Sequence, residues 1–273
     1  MFANNENILI VADNIAKYYA LNIQTGEMLW SKNNTAPFNS QLKIYKDKFF
    51  VIDFENTLRC YSIKDGTEIW KIKTENSLIR SQKKLSLVII DERVYFNNSL
   101  GDISAVDIKS GNLLWQKPTQ STLVYDQGFF LKTSDLIADK DSLYFSNNMN
   151  QFFSIDINTG PTNWIQKINS NLRPTLIGNY LFTISLEGFL IIIEKDTGNI
   201  VRISKLFKNV TKKYLLEDKG LRDEIIPIGF IIGNKYIYLT TNKGRLYIID
   251  IKTGQTDKVL RGDKGKISKP LFS

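Results

Sequence analysis

The chain has 273 residues, of which 42% are hydrophobic and 12% aromatic, and its formal net charge is +8 at pH 7. This composition supports a folded core and excludes an intrinsically disordered protein. No apolar run approaches the ~18 residues of a membrane-spanning helix, and the first residues, MFANNENILIVADN, lack the basic and apolar regions of a secretion signal. We therefore expect either a cytoplasmic protein or a chain whose export signal has been removed.

The positive charge is concentrated near the C-terminus. Residues 201–273 contain 16 Lys and Arg against 7 Asp and Glu, a net charge of +9, whereas the first 200 residues carry a net charge of −1. Such an imbalance can be an ordinary solvated surface, or it can mark a face that meets an acidic partner or a membrane surface.

Six similar stretches follow one another along the chain. The stretches are LNIQTGEMLW (21–30), YSIKDGTEIW (61–70), VDIKSGNLLW (106–115), IDINTGPTNW (155–164), IEKDTGNIVR (193–202) and IDIKTGQTDK (249–258). Their glycines are 38 to 56 residues apart. A motif that recurs at this spacing indicates an array of similar structural units.

The centre of each stretch predicts a β-hairpin. Gly adopts a positive φ without steric cost, and the Asp, Thr or Ser before it can hydrogen-bond the local backbone. The residues before each turn alternate in character. In SAVDIK, for example, Val106 and Ile108 face one way and Asp107 faces the other. This alternation predicts a strand with one face more buried than the other.

Two further strands precede each hairpin. The segments RVYFNNSLGDISAVDI (93–108) and YIYLTTNKGRLYIIDI (236–251) each contain two apolar runs joined by a second turn, and a short apolar run such as LSLVIID (85–91) lies upstream. Each unit is therefore predicted to contain four antiparallel strands. Four-stranded units that repeat every ~40–50 residues describe the blades of a β-propeller. We expect a single all-β propeller domain over residues 1–273, with six visible repeats.

The tryptophans of the chain all stand four residues after a turn glycine. They are Trp30, Trp70, Trp115 and Trp164. At this position a Trp falls on the fourth strand, where it can lie over the seam between neighbouring blades and stabilise it by roughly 2–3 kcal/mol. We predict this structural role rather than ligand stacking. Arg202 and Lys258 take the position in the last two units, whose seams must close with smaller apolar groups or with a basic stem.

The two ends of the chain leave the number of blades open. The chain is predicted to begin inside the second strand of its first unit, at NILIVAD (7–13), and to end with an isolated first strand, ISKPLF (267–272). That last strand could complete the first blade and close a six-bladed ring. Alternatively, the sequence is a slice of a longer protein with seven or eight blades. An open ring would expose an edge strand, which natural proteins avoid.

The repeat L/V-D-x-x-T-G-x-x-x-W resembles the PQQ-type, quinoprotein-like propeller repeat over nearly the whole chain. Within that family the sequence is more similar to the non-catalytic BamB branch, particularly in DQGFFLKTSDLIADKDSLYFSNN (126–148) and GDKGKISKPLFS (262–273). The resemblance implies a monomeric scaffold at the periplasmic face of the outer membrane, which holds an outer-membrane barrel-assembly protein and uses no cofactor. The lipidated Cys and signal of that branch are not seen in this chain.

The dehydrogenase branch of the same family is a poorer match. Its members bind pyrroloquinoline quinone and Ca²⁺ and usually have a vicinal Cys pair, whereas this chain has no His and a single Cys60, whose context LRCYSI predicts a buried side chain. The sequence contains no calcium loop, phosphate loop or Cys/His cluster. We predict no catalytic residue, no metal site and no nucleic-acid role. A propeller that senses or binds a ligand is the alternative function, and a quinone-dependent dehydrogenase is a weaker one.

Two long connections are the candidate functional segments, because propeller function resides in loops. The segment KLFKNVTKKYLLEDKGLRDEII (205–226) mixes apolar and basic residues, which suits a docking loop. Its candidate partner-binding residues are Tyr214, Leu215, Leu216, Leu221 and Arg222; the alternative is that they pack against the ring. A second connection, PTQSTLVYDQGFFLKTSD (118–135), carries Tyr125, Phe129 and Phe130, which are expected to cover the seam after the third unit; contact with a partner is the alternative.

Overall fold

The computed structural model describes residues 2–5, 7–75, 83–119, 131–207, 225–262 and 270. Within these ranges every regular element is a β-strand, and the strands form six four-stranded sheets. In each sheet the strands neighbour one another in chain order, so we name them A to D within a sheet. The predicted all-β architecture of six four-stranded units is confirmed. None of the described residues belongs to a helix long and apolar enough to cross a membrane.

The chain separates into two compact units. Unit 1 comprises Met1–Lys132, Ala138–Ser142 and Asp156–Pro161, and unit 2 comprises Thr133–Ile137, Leu143–Ile155 and Thr162–Ser273. The first three sheets belong to unit 1. Their strands are β1 (Phe2–Asn4), β2 (Ile8–Ala12), β3 (Lys17–Asn22) and β4 (Met28–Asn33); β5 (Lys43–Tyr45), β6 (Lys48–Ile52), β7 (Thr57–Ser62) and β8 (Glu68–Lys73); and β9 (Leu87–Ile90), β10 (Arg93–Asn97), β11 (Ile103–Asp107) and β12 (Leu113–Lys117).

The fifth and sixth sheets belong to unit 2, as does most of the fourth, whose A–B and C–D turns are assigned to unit 1. The strands of the fourth sheet are β13 (Ile137–Ala138), β14 (Ser142–Asn147), β15 (Gln151–Asp156) and β16 (Thr162–Gln166). Those of the fifth and sixth are β17 (Thr175–Ile177), β18 (Tyr180–Ile184), β19 (Phe189–Glu194) and β20 (Ile200–Lys205), followed by β21 (Pro227–Ile232), β22 (Tyr236–Thr241), β23 (Arg245–Asp250) and β24 (Thr256–Arg261).

The first sheet contains its own strand A. Residues Phe2–Asn4 pair antiparallel with β2, with Phe2 opposite Val11. The expectation that the chain begins inside the second strand is therefore wrong. The segment FAN is too short and too mixed to show strand periodicity, so pairing with the apolar β2 decides its conformation. The expected closing strand, ISKPLF, lies outside the described residues except for Pro270.

The central strands differ in how far both of their faces are buried. On β23 buried and half-buried residues alternate, as expected. On β11 Ala105 and Val106 are both 0% exposed, and the expected difference between the faces is seen only toward the turn, where Asp107 is half-buried and Ile108 is buried. The second sheet shows the reason. On β6, Phe49 packs into a core shared with the first sheet, and Phe50 packs into a core shared with the third. A strand between two neighbouring sheets has no solvent side, so its sequence need not alternate.

The C–D hairpin has the same construction in all six sheets. The C–D register shifts by a β-bulge five residues before each turn glycine, for example between Cys60 and Tyr61 before Gly66. The glycine N–H then donates to the carbonyl oxygen four residues earlier, at 2.9 Å from Gly66 to Ser62. The six glycines have φ between +68° and +88°, the left-handed region that other residues enter at a cost.

Candidate protein-binding surface

The proposed docking segment, residues 205–226, connects β20 to β21. Its candidate residues Tyr214, Leu215, Leu216, Leu221 and Arg222 all lie outside the described residues. The structure describes both ends of the segment, Lys205–Phe207 and Ile225–Ile226, and both ends are held by contacts within unit 2.

The N-terminal end of this segment is fixed on the fifth sheet. Leu206 and Phe207 are buried, and the Leu206 N–H donates to the Gly188 carbonyl at 2.9 Å. A Cβ built on Gly188 would lie 2.1 Å from the Phe207 ring, so only a glycine leaves room for this ring. The ring also meets Tyr247 of the sixth sheet edge-on, with centroids 5.1 Å apart. The segment therefore leaves the sheet from a rigid, aromatic anchor.

The C-terminal end is fixed on the sixth sheet. The Ile226 N–H donates to Oδ1 of Asn242 at 2.9 Å, and the Asn242 N–H donates back to the Ile226 carbonyl at 3.0 Å. The Ile226 side chain is 43% exposed. Gly188 and Asn242 both belong to B–C turns, so both ends of the segment stand at the B–C end of their sheets.

The B–C turns share a local design that the sequence shows only faintly. In the first four sheets an Asp or Asn opens the turn and its side-chain oxygen accepts two backbone N–H groups, as Asp53 does from Glu55 and Thr57. Three residues after the opening residue φ is positive in all six sheets, at Ala16, Asn56, Gly101, Asn150, Gly188 and Gly244. These bonds order each turn locally, so each sheet has an ordered B–C end from which its connections leave.

The other D–A connections also leave their sheets beside B–C turns. The Thr74 N–H after β8 donates to the Asn56 carbonyl at 3.1 Å, and the Thr119 hydroxyl after β12 donates to the Gly101 carbonyl at 2.9 Å. The second candidate connection, 118–135, begins at this end of the third sheet. Its aromatic residues Tyr125, Phe129 and Phe130 lie outside the described residues, so their expected packing stays a prediction.

Two carboxylates in the B–C turns accept hydrogen bonds that stabilise these turns. Burial works to raise the pKa of Glu187, but hydrogen bonds from Ser185 and Asn169 hold that pKa below its ordinary value. Burial raises the pKa of Asp102, which sits in the third B–C turn and accepts from the Asn98 amide at 3.3 Å. Each of these carboxylates already has a hydrogen-bond partner, Asn169 for Glu187 and Asn98 for Asp102. Their arrangement stabilises turns and does not form an acid–base pair.

An ion-pair cluster within the second sheet also contacts the connection that follows the first sheet. Arg59 on β7 donates from Nε to Asp53 at 2.8 Å and from Nη1 to Glu68 at 2.5 Å, and its Nη2 donates to Thr35 at 3.2 Å. The Asp53 carboxylate is fully buried. Buried charges that satisfy one another in this way fix one packing arrangement, and removal of a single partner is costly.

The tryptophans bridge neighbouring sheets through a repeated contact. Each indole N–H donates to the backbone carbonyl three residues before the turn glycine of the next sheet. The four bonds are Trp30 to Ile63 at 2.9 Å, Trp70 to Ile108 at 2.9 Å, Trp115 to Ile157 at 3.2 Å and Trp164 to Lys195 at 2.9 Å. The ring covers the turn glycine itself, since a Cβ on Gly198 would lie 2.7 Å from the Trp164 ring. The Trp of each repeat therefore contacts the turn glycine of the next repeat.

Arg202 makes the corresponding contact between the fifth and sixth sheets. Its Nη2 donates to the Ile251 carbonyl and its Nη1 to the Lys252 carbonyl, both at 2.5 Å. The turn glycine there, Gly254, is covered by Ser204 rather than by an aromatic ring. The sequence indicates only that a basic stem could replace Trp; the hydrogen bonds to two carbonyls come from the tertiary structure. Lys258 lies exposed on β24.

The single cysteine lies in the core between the second and third sheets. Cys60 is fully buried, and this burial raises the pKa of its thiol to about 12, so it stays protonated and unreactive at neutral pH. Among the described residues, no group of three or more His, Cys, Asp and Glu side chains could hold a metal ion.

Comparison with known proteins places this architecture in a family. The PQQ_2 family, described as outer membrane protein assembly factor BamB, matches residues 2–204. The outer membrane protein assembly factor BamB of Shewanella oneidensis is 22% identical over 272 residues, which cover 90% of this chain and 62% of the relative. The chain thus spans less than two thirds of that relative's length.

Solved structures show the fold. BamB from Moraxella catarrhalis matches with a TM-score of 0.76 at 17% identity, over 98% of this chain and 76% of that chain. A europium-containing methanol dehydrogenase matches with a TM-score of 0.65 at 12% identity, over 99% of this chain and 79% of that chain. Because one propeller fold hosts an outer membrane protein assembly factor and an enzyme, this likeness establishes the β-propeller fold and not an activity. The match over residues 2–204 establishes that the chain belongs to the PQQ_2 family of the outer membrane protein assembly factor BamB.

Proposed function

We propose that this chain is a non-catalytic scaffold that supports the assembly of β-barrel proteins in the outer membrane. In this proposal residues 1–273 act as one monomeric propeller domain at the periplasmic face of that membrane, and they hold a barrel-assembly protein through the connections at their B–C ends. The family membership supports the biological setting. We choose the 205–226 connection as the binding surface because both of its ends are held in place.

The anchoring matters because a docking segment must be presented before it can bind. Phe207 and Ile226 hold the two ends of the connection on neighbouring sheets of unit 2, through the contacts to Gly188 and Asn242. Fixing the ends reduces the conformational entropy that the segment loses when it binds. The sequence between them supplies Tyr and Arg, two of the residue types enriched among those that dominate protein interfaces, and Arg also pairs with carboxylates. Its Leu residues add apolar contact area.

A quinone-dependent dehydrogenase does not fit the residues present. The sequence has one cysteine, so the vicinal Cys pair of that branch cannot form, and Cys60 is buried in the core with a raised thiol pKa. A propeller that binds a small ligand is the alternative function. Retention of pyrroloquinoline quinone with Ca²⁺ by the purified chain, followed by alcohol-dependent dye reduction, would overturn the non-enzymatic assignment.

The test is affinity capture of a purified barrel-assembly protein and of the same protein from an outer-membrane extract. The baits are the wild-type chain, a docking variant with Tyr214, Leu215, Leu216, Leu221 and Arg222 changed to Ser, and a control with Tyr125, Phe129 and Phe130 changed to Ser. We expect capture by the wild type and the control, and loss of capture by the docking variant. Equal capture by all three keeps the function and rejects the segment. No capture by the folded wild type rejects the function.

A further inference from the structure

The first sheet differs from the other five at its C–D turn. In the other five sheets a side chain of the preceding sheet lies over the turn glycine, and a Cβ built there would lie 2.3 to 2.9 Å from it. A Cβ built on Gly26 would have nothing within 4 Å. Gly26 itself is exposed, and Ile23, three residues before it, is 44% exposed. The first turn therefore lacks the cover that the other five turns have.

The Ile23 carbonyl is the counterpart of the carbonyls that accept from Trp or Arg202 in the other seams. Each of those carbonyls also lies three residues before a turn glycine. Among the described residues no group donates to the Ile23 carbonyl, whereas the Ile23 N–H donates to the Asn7 carbonyl at 3.0 Å. The first sheet thus presents the acceptor part of a seam, a turn glycine and a backbone carbonyl, to solvent.

The face of the first sheet beside this turn is apolar. Ile10 on β2 is fully buried toward the second sheet, so its neighbours along the strand point to the opposite face. That face carries two cross-strand pairs, and all four of their side chains are half-buried. The pairs are Leu9 with Leu21 and Val11 with Tyr19. We call these four residues, together with Ile23 and Gly26, the open seam.

The second sheet shows what such a face does when it is covered. Phe49, Val51 and Tyr61 hold the positions that correspond to Leu9, Val11 and Leu21, and they are at most 1% exposed because the first sheet packs against them. The Trp30 ring is stacked with Phe49, with centroids 6.2 Å apart. Leu9 is therefore placed to support an aromatic ring in the same way.

We infer that the open seam binds a β-hairpin of a partner protein whose outer strand presents a Trp or an Arg. The five covered turns support this choice. Four of their carbonyls accept an indole N–H and one accepts a guanidinium, in each case from the residue four positions after a turn glycine. Trp and Arg are also enriched among the residues that dominate protein interfaces.

A second copy of this chain does not supply such a residue. The donors at this position already bond carbonyls within their own chain, and the residue left over, Lys258, is an exposed lysine on β24. An ammonium lacks both the ring of Trp and the planar fork with which Arg202 reaches two carbonyls. The engaged donors are Trp30, Trp70, Trp115, Trp164 and Arg202.

This inference goes beyond the proposed function and does not depend on it, because every residue of the open seam belongs to the first sheet or to its C–D turn. The test uses the full chain and a fluorescent, cyclised peptide of residues 17–33, the C–D hairpin that carries Trp30. In the chain this hairpin covers Gly66 of the second sheet. The control peptide carries Trp30→Ala. Circular dichroism confirms that both peptides form a hairpin before binding is measured.

Two variants of the chain locate the binding. Gly26→Ala places a Cβ where the Trp ring would lie. The matched control is Gly178→Ala, in the A–B turn of the fifth sheet. Gly178 also has a positive φ, +56°, and nothing within 4 Å of a built Cβ. The two substitutions therefore carry a similar backbone strain, and only the first alters the open seam.

We expect the Trp peptide to bind the wild-type chain about tenfold more tightly than the Trp30→Ala peptide. Gly26→Ala should weaken binding of the Trp peptide about tenfold, and Gly178→Ala should leave it within about twofold of wild type. Equal binding of the two peptides, or no binding of the folded Trp peptide, would overturn the inference. So would equal binding by the wild-type and Gly26→Ala chains, which would place the hairpin elsewhere.

Analytical ultracentrifugation of the chain alone tests the other occupant. We expect the wild-type chain to stay monomeric, which leaves the open seam accessible to a hairpin of another protein. A dimer that Gly26→Ala dissociates and Gly178→Ala does not would assign the open seam to a second copy and would also overturn the inference.

Discussion

Two seams inside unit 2 close with different chemistry at the same position of the repeat. Between the fourth and fifth sheets, the Trp164 indole covers Gly198 and donates to the Lys195 carbonyl. Between the fifth and sixth sheets, Arg202 donates to the carbonyls of Ile251 and Lys252, and Ser204 covers the turn glycine. Both side chains donate to the backbone carbonyl that lies three residues before the turn glycine of the next sheet. Only the first also buries a large apolar ring.

The difference teaches where a propeller seam obtains its strength. A Trp adds area burial and ring packing, here against Phe152 at 5.8 Å and Tyr144 at 6.2 Å between centroids, to a single hydrogen bond. An Arg adds charge-assisted hydrogen bonds but must give up water around its guanidinium, and its buried Nε has no hydrogen-bond partner among the described residues. We expect the Arg202 seam to open more readily than the Trp164 seam.

The largest expected effect comes from the apolar seam. Trp164→Ala removes the ring over Gly198 and leaves the Lys195 carbonyl without its donor, so we expect a loss of about 3 kcal/mol in the free energy of unfolding. Urea denaturation followed by circular dichroism measures it. A loss below about 1 kcal/mol would mean that the ring contributes little to the seam and that the two seams are equivalent.

The turn glycine tests the same contact from the other side. Gly198→Ala requires a side chain at positive φ and places its Cβ against the Trp164 ring, so we expect a cost of about 3 kcal/mol. Gly26→Ala is the matched control. Gly26 also has a positive φ but has open space around its Cβ, and its cost should be about 1 kcal/mol. Equal costs in urea denaturation would show that backbone strain, and not ring packing, requires the glycine.

The polar seam gives a smaller effect. Arg202→Ala removes two hydrogen bonds to carbonyls at a partly solvated position, so we expect a loss of about 1–2 kcal/mol. Arg202→Trp should recover this loss and add up to about 1 kcal/mol, because an indole can donate to the Ile251 carbonyl and bury apolar area. The rate of hydrogen exchange of the β24 amides measures how often this seam opens. Slower exchange in wild type than in Arg202→Trp would contradict the comparison.

The smallest effect is a dependence on pH at the sixth C–D turn. The Asp250 carboxylate accepts hydrogen bonds from the backbone N–H and from the hydroxyl of Thr253. These bonds hold the pKa of Asp250 below its ordinary value. A carboxylate with a depressed folded-state pKa stabilises the fold above its unfolded pKa, and this contribution is lost as pH falls through the folded pKa. We expect Asp250→Asn to reduce the loss of stability between pH 5 and pH 2, measured by urea denaturation. An unchanged slope would show that this turn does not contribute.

Local patterns made much of the fold predictable. The hairpin turns are set by residues within a few positions of one another, so six units, their turn glycines and their four strands can be read from the sequence. The strand Phe2–Asn4 could not be, because its conformation depends on pairing with β2. The burial of Ala105 as well as Val106 on β11 could not be predicted either, because it depends on a second neighbouring sheet.

The candidate site was less predictable than the fold. The composition of the 205–226 connection singles it out, but its anchoring by Phe207 on Gly188 and by Ile226 on Asn242 joins residues far apart in sequence. The excess of basic residues after position 200 is visible in the sequence. That two of them, Arg245 and Arg261, stand opposite each other appears only when the ends of separate strands are placed side by side.

The sequence by itself determined the repeat, the hairpin turns and the family, because each depends on short-range patterns of glycine, β-branched and aromatic residues. Tertiary structure decided which carbonyl each Trp and Arg202 bonds and which strand faces are buried. Such contacts join residues about 30 to 50 positions apart, as in the bonds from Trp164 to Lys195 and from Arg202 to Ile251. Their partners are fixed only when the sheets stack, because a hydrogen bond or a packed ring depends on distance in space and not along the chain.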